Sequence, residues 1–219
     1  EIERRLGYEY PFAQLEGVVA KRIASKLDPT EADSEYFASR RPSFAGRGRL
    51  TPAQRGTATH RFMQYADYSR ACKSVADELT RLTEDGMLTA EEANAVDARA
   101  VARFFDSGLY ARMSRAERIY KEYSFTCSVP VSELYPQLPC GLADGEVVLI
   151  EGVADCAFVE GGELVVVDYK TDKASSAAEL AERYGAQLGI YRRCLAEVLG
   201  MPVKETVIYS FRLNESITL

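Results

Sequence analysis

The stretch Gly152-Val153-Ala154-Asp155-Cys156-Ala157-Phe158-Val159, followed by Glu163-Leu164-Val165-Val166-Val167-Asp168-Tyr169-Lys170-Thr171-Asp172, decides the reading of the whole chain. Two β-rich runs flank a Glu160-Gly161-Gly162 turn, which predicts a hairpin. Asp155 interrupts the first run, and Asp168 and Lys170 stand at the end of the second. Residues i and i+2 of a strand share a face, so Asp168 and Lys170 point the same way and the hairpin brings Asp155 up beside them. Acids at the end of an apolar strand are costly unless neutralised, and a hard divalent cation held by carboxylate oxygens is the usual solution. Taken alone, the Asp-x-Lys fragment reads first as an ordinary hairpin with a surface ion pair.

Working outward, the 219 residues with 47% hydrophobic content are enough to bury one good core with a helical appendage. No run of eighteen apolar residues predicts a membrane span, and no secretory pattern opens the chain. A start at Glu1 rather than methionine suggests a piece of something larger. The cysteines at 72, 127, 140, 156 and 194 form no CxxC pair. That odd, dispersed set points to reduced thiols and against a zinc or iron–sulfur site. The net charge of −6 has the wrong sign for a free-standing DNA-binding module and argues against tight autonomous binding. It does not exclude chemistry on a polyanion, because a bound metal and local basic patches can offset acids at a site.

Along the chain, Tyr8-Glu9-Tyr10-Pro11-Phe12 reads as extended, and Val18 to Leu27 as the start of a short helix. Residues 28–50, with Pro29, Pro42, Gly46, Gly48 and four arginines, read as an irregular connector. Thr51-Pro52 starts a helix that carries His60, the single histidine, past Gly56. Residues 70–115 are helical by pattern, with a capping box at Thr89-Ala90-Glu91-Glu92 and a stop at Gly108. Strands are expected near 117–129, 147–158, 163–170 and 205–213, with a loop over 132–145. A helix around 180–195 puts Tyr184, Gln187, Leu188, Tyr191 and Leu195 on one face, where Gln187 and Tyr191 are i, i+4 neighbours. The fold expected is α/β: a mixed central sheet flanked by helices, with a helical N-terminal half packed on it.

The phrase Asp168-Tyr169-Lys170-Thr171-Asp172 resembles the RecB-type nuclease domain, whose core has the pattern D…(D/E)-x-K. Four further pieces stand in that family's order: Gly56-Thr57-x-x-His60, Glu122 with Phe125, Asp155, and Gln187-x-x-x-Tyr191. Leu50-Thr51-Pro52 and Met63-Gln64 make the likeness greatest to the C-terminal nuclease domain of the AddA helicase–nuclease subunits. The resemblance implies a restriction-endonuclease-like domain over 51–219 (helical to about 115, sheet core beyond) and an extended N-terminal segment over 1–50 packing on it. It implies that Asp155 and Asp168 bind Mg²⁺ (or Mn²⁺), with His60 and the Tyr169 backbone carbonyl completing the shell. Lys170 would orient or deprotonate the attacking water, and a neighbouring cation would lower its pKa. Gln187 and Tyr191 would position DNA or the Asp-x-Lys strand, and Thr171 and Lys173 are candidate DNA contacts. Glu122 meets the metal, orients Lys170 or only pairs with a basic group. No G-x-x-x-x-G-K-[ST] phosphate loop occurs, so no nucleotide is expected in this chain. The implied setting is the bacterial cytoplasm, with an AddB-type partner and a motor that delivers single-stranded DNA during double-strand break repair. A catalytically idle docking or DNA-binding module is the alternative, kept open by the net charge. Stand-alone relatives of the family and AddB-type subunits commonly carry a four-cysteine iron–sulfur site, which the cysteine spacing here does not fit.

Overall fold

Gly161 and Gly162 both have positive φ (66° and 79°), as the tightest two-residue hairpin turn requires, and they join β3 (Val147–Glu160) to β4 (Glu163–Lys170). The predicted hairpin is therefore present, with Glu160 opposite Glu163 and Cys156 opposite Val167. The computed structural model describes Leu15, residues 17–24 and residues 51–219. The expected extended segment at Tyr8–Phe12 and the connector over 28–50 lie outside the described residues.

The remaining strands are β1 (Lys21–Ile23), β2 (Arg118–Pro130), β5 (Val203–Ser210) and β6 (Glu215–Thr218). The sheet is mixed and runs β1-β3-β4-β5-β6, with β2 pairing β3. β2 follows β3 antiparallel along nearly all of its length. On the other edge of β3, β1 takes Leu149–Glu151 in parallel and β4 takes Cys156–Glu160 antiparallel. The short gap between β1 and β4 on that edge holds Asp155.

The helices are α1 (Pro52–Tyr65), α2 (Tyr68–Ala71), α3 (Val75–Glu84), α4 (Ala90–Ala95), α5 (Ala98–Phe105), α6 (Gly108–Met113), α7 (Val131–Leu134) and α8 (Ala177–Leu199). Thr51 caps α1 with a reciprocal box to Gln54, and Thr89 caps α4 with the predicted box to Glu92. The sheet separates two cores. One packs Phe62, Met63, Phe104 and Leu82 of the early helices on Phe158, Val167, Tyr169 and Tyr209. The other packs Leu188, Tyr191 and Leu195 of α8 on Phe125, Ile150 and Val166. Among the described residues no helix is long and apolar enough to cross a membrane.

Four expectations are corrected. Residues 21–23 form β1 rather than a helix, since their backbone pairs with Leu149–Glu151 and Ala24 is buried in the second core. Gly108 does not end a helix: α5 stops at Phe105, and Ser107 caps α6, which Gly108 begins. Val131–Leu134 is a helical turn within the expected loop. Cys127 on β2 and Cys194 on α8 are joined as a disulfide, Cα atoms 5.5 Å apart, because the second core brings that strand and helix together.

Gly152 lies opposite Phe125, and a Cβ built on it would stand 2.4 Å from Phe125 Cζ. The aromatic ring therefore covers the glycine and meets Tyr191 edge-on at 5.3 Å. Overpacking at such a point costs about 1–3 kcal/mol. Gly152→Ala is expected to lower the melting temperature by several degrees in a thermal melt, whereas Gly185→Ala, with open space around it, should not.

Candidate active site

Side chains along β3 do not alternate regularly past the site. Val148, Ile150 and Ala154 face the α8 core, then Cys156 and Phe158 face the other core while Ala157 and Val159 take over the first. β2 changes step at the same place, with Tyr120, Tyr123 and Phe125 on the α8 side. The residues out of step are Asp155 and Glu122, which the register brackets between Lys121↔Cys156 and Tyr123↔Ala154. Glu122 has φ 45°, a left-handed conformation that is rare for a side chain of its size. Strain of this kind persists where surroundings enforce it, commonly at functional sites.

The distortion gathers chemistry. Extending the hairpin register one step beyond Cys156↔Val167 sets Asp155 beside Asp168, where β4 parts from β3. Asp155 Oδ2 accepts the Tyr169 backbone N–H at 2.8 Å, and its Oδ1 lies 3.2 Å from His60 Nδ1. His60 arrives on α1, whose second turn passes close to the strand end: a Cβ on Gly56 would stand 2.8 Å from Thr171 Oγ1. One ligand atom each from His60, Glu122 and Asp155 fall within 4.8 Å of one another. Asp168 is 3% exposed and stands outside that trio. Lys170 Nζ is 3.1 Å from Asp168 Oδ2, a buried oxygen with no further hydrogen-bond partner among the described residues. The Asp–Lys ion pair of the bland sequence reading thus exists, but inside the protein.

Electrostatics separates the acids. Burial works against ionisation of Asp155, but His60, Lys170 and the Tyr169 N–H overcome it and hold the carboxyl below its usual range. Burial, reinforced by Asp155, raises Asp168 to about 6 even though Lys170 opposes the shift. Burial and then Asp155 raise Glu122 to about 7. Burial alone would lower His60, yet the Asp155 and Asp168 carboxylates lift it to about 9. Burial likewise acts to lower Lys170, and the same two carboxylates hold it well above its ordinary value. Like charges crowded into a low-dielectric pocket favour a cation. The donor set, two or three carboxylates with one imidazole, fits a hard divalent cation.

Gln187 and Tyr191 lie on the α8 face beneath the strand end. Gln187 Nε2 donates to the Tyr191 hydroxyl at 3.0 Å, and Gln187 Oε1 is buried with no hydrogen-bond donor among the described residues. Burial raises the Tyr191 phenol above its ordinary value. Thr171 is half-buried against Gly56, and Lys173 is exposed. Sequence reasoning left Glu122 undecided and gave Tyr184 and Asp172 no role at the site. Tyr184 packs on Lys170, with Nζ 3.9 Å from the ring centroid, and donates its hydroxyl to Asp172. The helical face containing Tyr184 and the repeat of Asp at 172 were the available signals.

A sheet-borne Asp…Asp-x-Lys cluster at the point where two strands diverge, joined by a helix histidine, is a nuclease-type arrangement. The PD-(D/E)XK nuclease superfamily model matches residues 34–217, and the chain belongs to that superfamily. It is similar to ATP-dependent helicase/nuclease subunits of the AddA type. The relative in Geobacillus thermodenitrificans is 33% identical over 236 residues, covering 96% of this chain and 19% of that protein. The one in Clostridium kluyveri is 32% identical over 223 residues (96% and 18%), and the one in Desulforamulus reducens 33% over 232 residues (99% and 18%). The chain spans about a fifth of the length of these curated relatives.

Proposed function

We propose that this chain is the nuclease module of a helicase–nuclease, hydrolysing phosphodiester bonds of single-stranded DNA with Mg²⁺ or Mn²⁺. The carrying observation is the convergence of His60, Glu122 and Asp155 beside the buried Asp168–Lys170 pair. His60, Asp155, Asp168 and the Tyr169 carbonyl would hold the cation, and the position of Glu122 adds it to that set. A divalent cation there supplies Lewis-acid relief of charge on the phosphoryl oxygens and acidifies a water.

The chain's own groups do the rest. Lys170, whose ammonium form the Asp168 and Asp155 carboxylates favour in the metal-free protein, would orient the water or the phosphate and steady developing negative charge. Asp155 holds the His60 ring through Nδ1 and fixes the β4 backbone through the Tyr169 N–H. Gln187 and Tyr191, both buried, would steady the Asp-x-Lys strand end from α8, and Thr171 and Lys173 would contact the DNA strand. Residues 51–219 would carry the site residues of the module, with β1 of the preceding segment joining the sheet beside β3. In its full setting, a bacterial cytoplasm with an AddB-type partner, a motor would feed single-stranded ends during double-strand break repair and set the exonuclease polarity.

The test is cleavage of single-stranded DNA by this chain with Mg²⁺, Mn²⁺ or EDTA, beside Asp168→Ala. Cutting is expected with either metal, none with EDTA and none by the variant. Metal-independent cutting, or full activity in Asp168→Ala, would overturn the assignment. The net charge of −6 favours one second reading, a docking module of the same complex. Absence of both cutting and metal binding would select it.

A further inference from the structure

Lys170 is held from a second side. Its ammonium stands 3.9 Å from the centroid of the Tyr184 ring, opposite in kind to the Asp168 carboxylate at 3.1 Å. The lysine side chain is 16% exposed and Tyr184 is 5% exposed, so this cation–π contact is largely shielded from water, where such contacts are strongest. The ring is itself fixed. Its hydroxyl donates to Asp172 Oδ2 at 2.8 Å, and Arg183 Nη1 donates to the same oxygen at 3.1 Å. Arg183 Nη2 in turn donates to Glu179 Oε1 at 2.7 Å, in the first turn of α8. Strand end and helix are thereby locked around the ammonium.

The two holders behave differently. A carboxylate drawn toward a divalent cation loosens its grip on an ammonium, whereas the Tyr184 ring, anchored through Asp172, is not a ligand for such a cation. We infer that Tyr184 is a positioning residue, whose Asp172-anchored ring keeps the Lys170 ammonium aimed while Asp168 is engaged elsewhere. This deepens the nuclease reading and rests on it for the role of Lys170. Simple packing does not account for the arrangement: leucine would fill much of the same space, yet offers neither the π face nor the hydroxyl.

The experiment compares the 219-residue chain with Tyr184→Phe, Tyr184→Leu, Lys170→Ala, and Tyr184→Leu combined with Lys170→Ala. Two readouts are taken: steady-state cleavage of single-stranded DNA with Mn²⁺, and ¹H–¹³C spectra of metal-free protein labelled at the lysine ε-carbons. A ring-current shift of the Lys170 ε-methylene is expected in the parent and in Tyr184→Phe, and is expected to vanish in Tyr184→Leu. Misaiming the ammonium should lower kcat roughly tenfold in Tyr184→Leu with KM unchanged, while Tyr184→Phe keeps most of the rate. In the Lys170→Ala background, Tyr184→Leu should have no further effect. A shift that persists in Tyr184→Leu, equal losses in the Phe and Leu variants, or a change in KM alone would overturn the inference. The spectra do not depend on cleavage, so an inactive parent would count against the nuclease reading while the ring shift still decides the holding of Lys170. If Tyr184→Leu does not fold, Asp172→Asn takes its place. A reduced shift with a lowered kcat then supports the inference, and two unchanged readouts overturn it.

Discussion

Lys170→Ala is expected to reduce single-stranded DNA cleavage by roughly a thousandfold or more, the scale of losing a positioned proton donor and its charge at the reaction centre. The loss should fall on kcat, because the ammonium is aimed at developing charge rather than at bases. The fold should survive. The Lys170 backbone is held apart from its side chain, pairing with Ser210 on β5 and accepting the Phe211 N–H at 2.9 Å. The side chain's removal leaves Asp168 without its cation, and breaking a buried pair often costs about 3–5 kcal/mol when the remaining charge persists. Here it need not persist. Burial and Asp155 already raise Asp168 to about 6 with the lysine present, so without it the carboxyl takes up a proton in the metal-free state. Metal binding should be retained or tightened, since a competing positive charge is gone. The checks are kcat at saturating Mn²⁺ and melting curves with and without metal. A well-folded Lys170→Ala chain cleaving at the parent rate would remove Lys170 from the mechanism.

How much of this site is legible in the sequence depends on periodicity. The β3–β4 hairpin was legible because alternation, a Gly-Gly turn and the position of the acids agree, and register then brings Asp155 to Asp168 with no further information. The start of α1 was legible from Thr51-Pro52, and α4 from its capping box. β1 was not, since three residues, two of them basic, carry no usable alternation and gain their strand identity from β3. β6 was missed for the same reason of length. Glu122 could be matched but not placed. Its φ of 45° and the simultaneous change of step on both strands are tertiary effects that no local preference of glutamate encodes. The Cys127–Cys194 link was hidden because it joins residues 67 apart through a core that forms only when α8 packs on β2. Tyr184 was visible as a core-facing residue, but its cation–π role depends on where Lys170 ends, which only the folded strand and helix determine together.

Asp155→Asn should be the more damaging change, abolishing both metal binding and cleavage. This carboxylate ties four elements together: His60 of α1 through Oδ1, the β4 backbone through Oδ2, Glu122 of β2 across the ladder, and its own strand β3. Asparagine matches it in shape, so one oxygen can still accept the Tyr169 N–H and the fold is expected to hold. What disappears is charge. Without the Asp155 carboxylate, burial pulls the His60 imidazole down from about 9, and Glu122 loses the like charge that helps raise it to about 7. These changes offset one another in the metal-free protein, where only a small shift in melting temperature is expected. They do not offset one another toward a cation. Losing a group that orients a ligand from outside the coordination shell already costs about 10–100-fold in affinity, and a direct carboxylate ligand should cost more. Parent protein at a hundredfold excess of metal over Kd gains about 2.7 kcal/mol of stability. For a chain of this length that corresponds to a rise of roughly 5–10 °C in melting temperature. That metal-induced rise should vanish in Asp155→Asn and remain in Lys170→Ala, separating the ligand from the group that acts on the substrate. If Asp155→Asn kept the full rise, the cation would have to be held by Asp168 and Glu122 without it, and the site would need to be redrawn around those two acids.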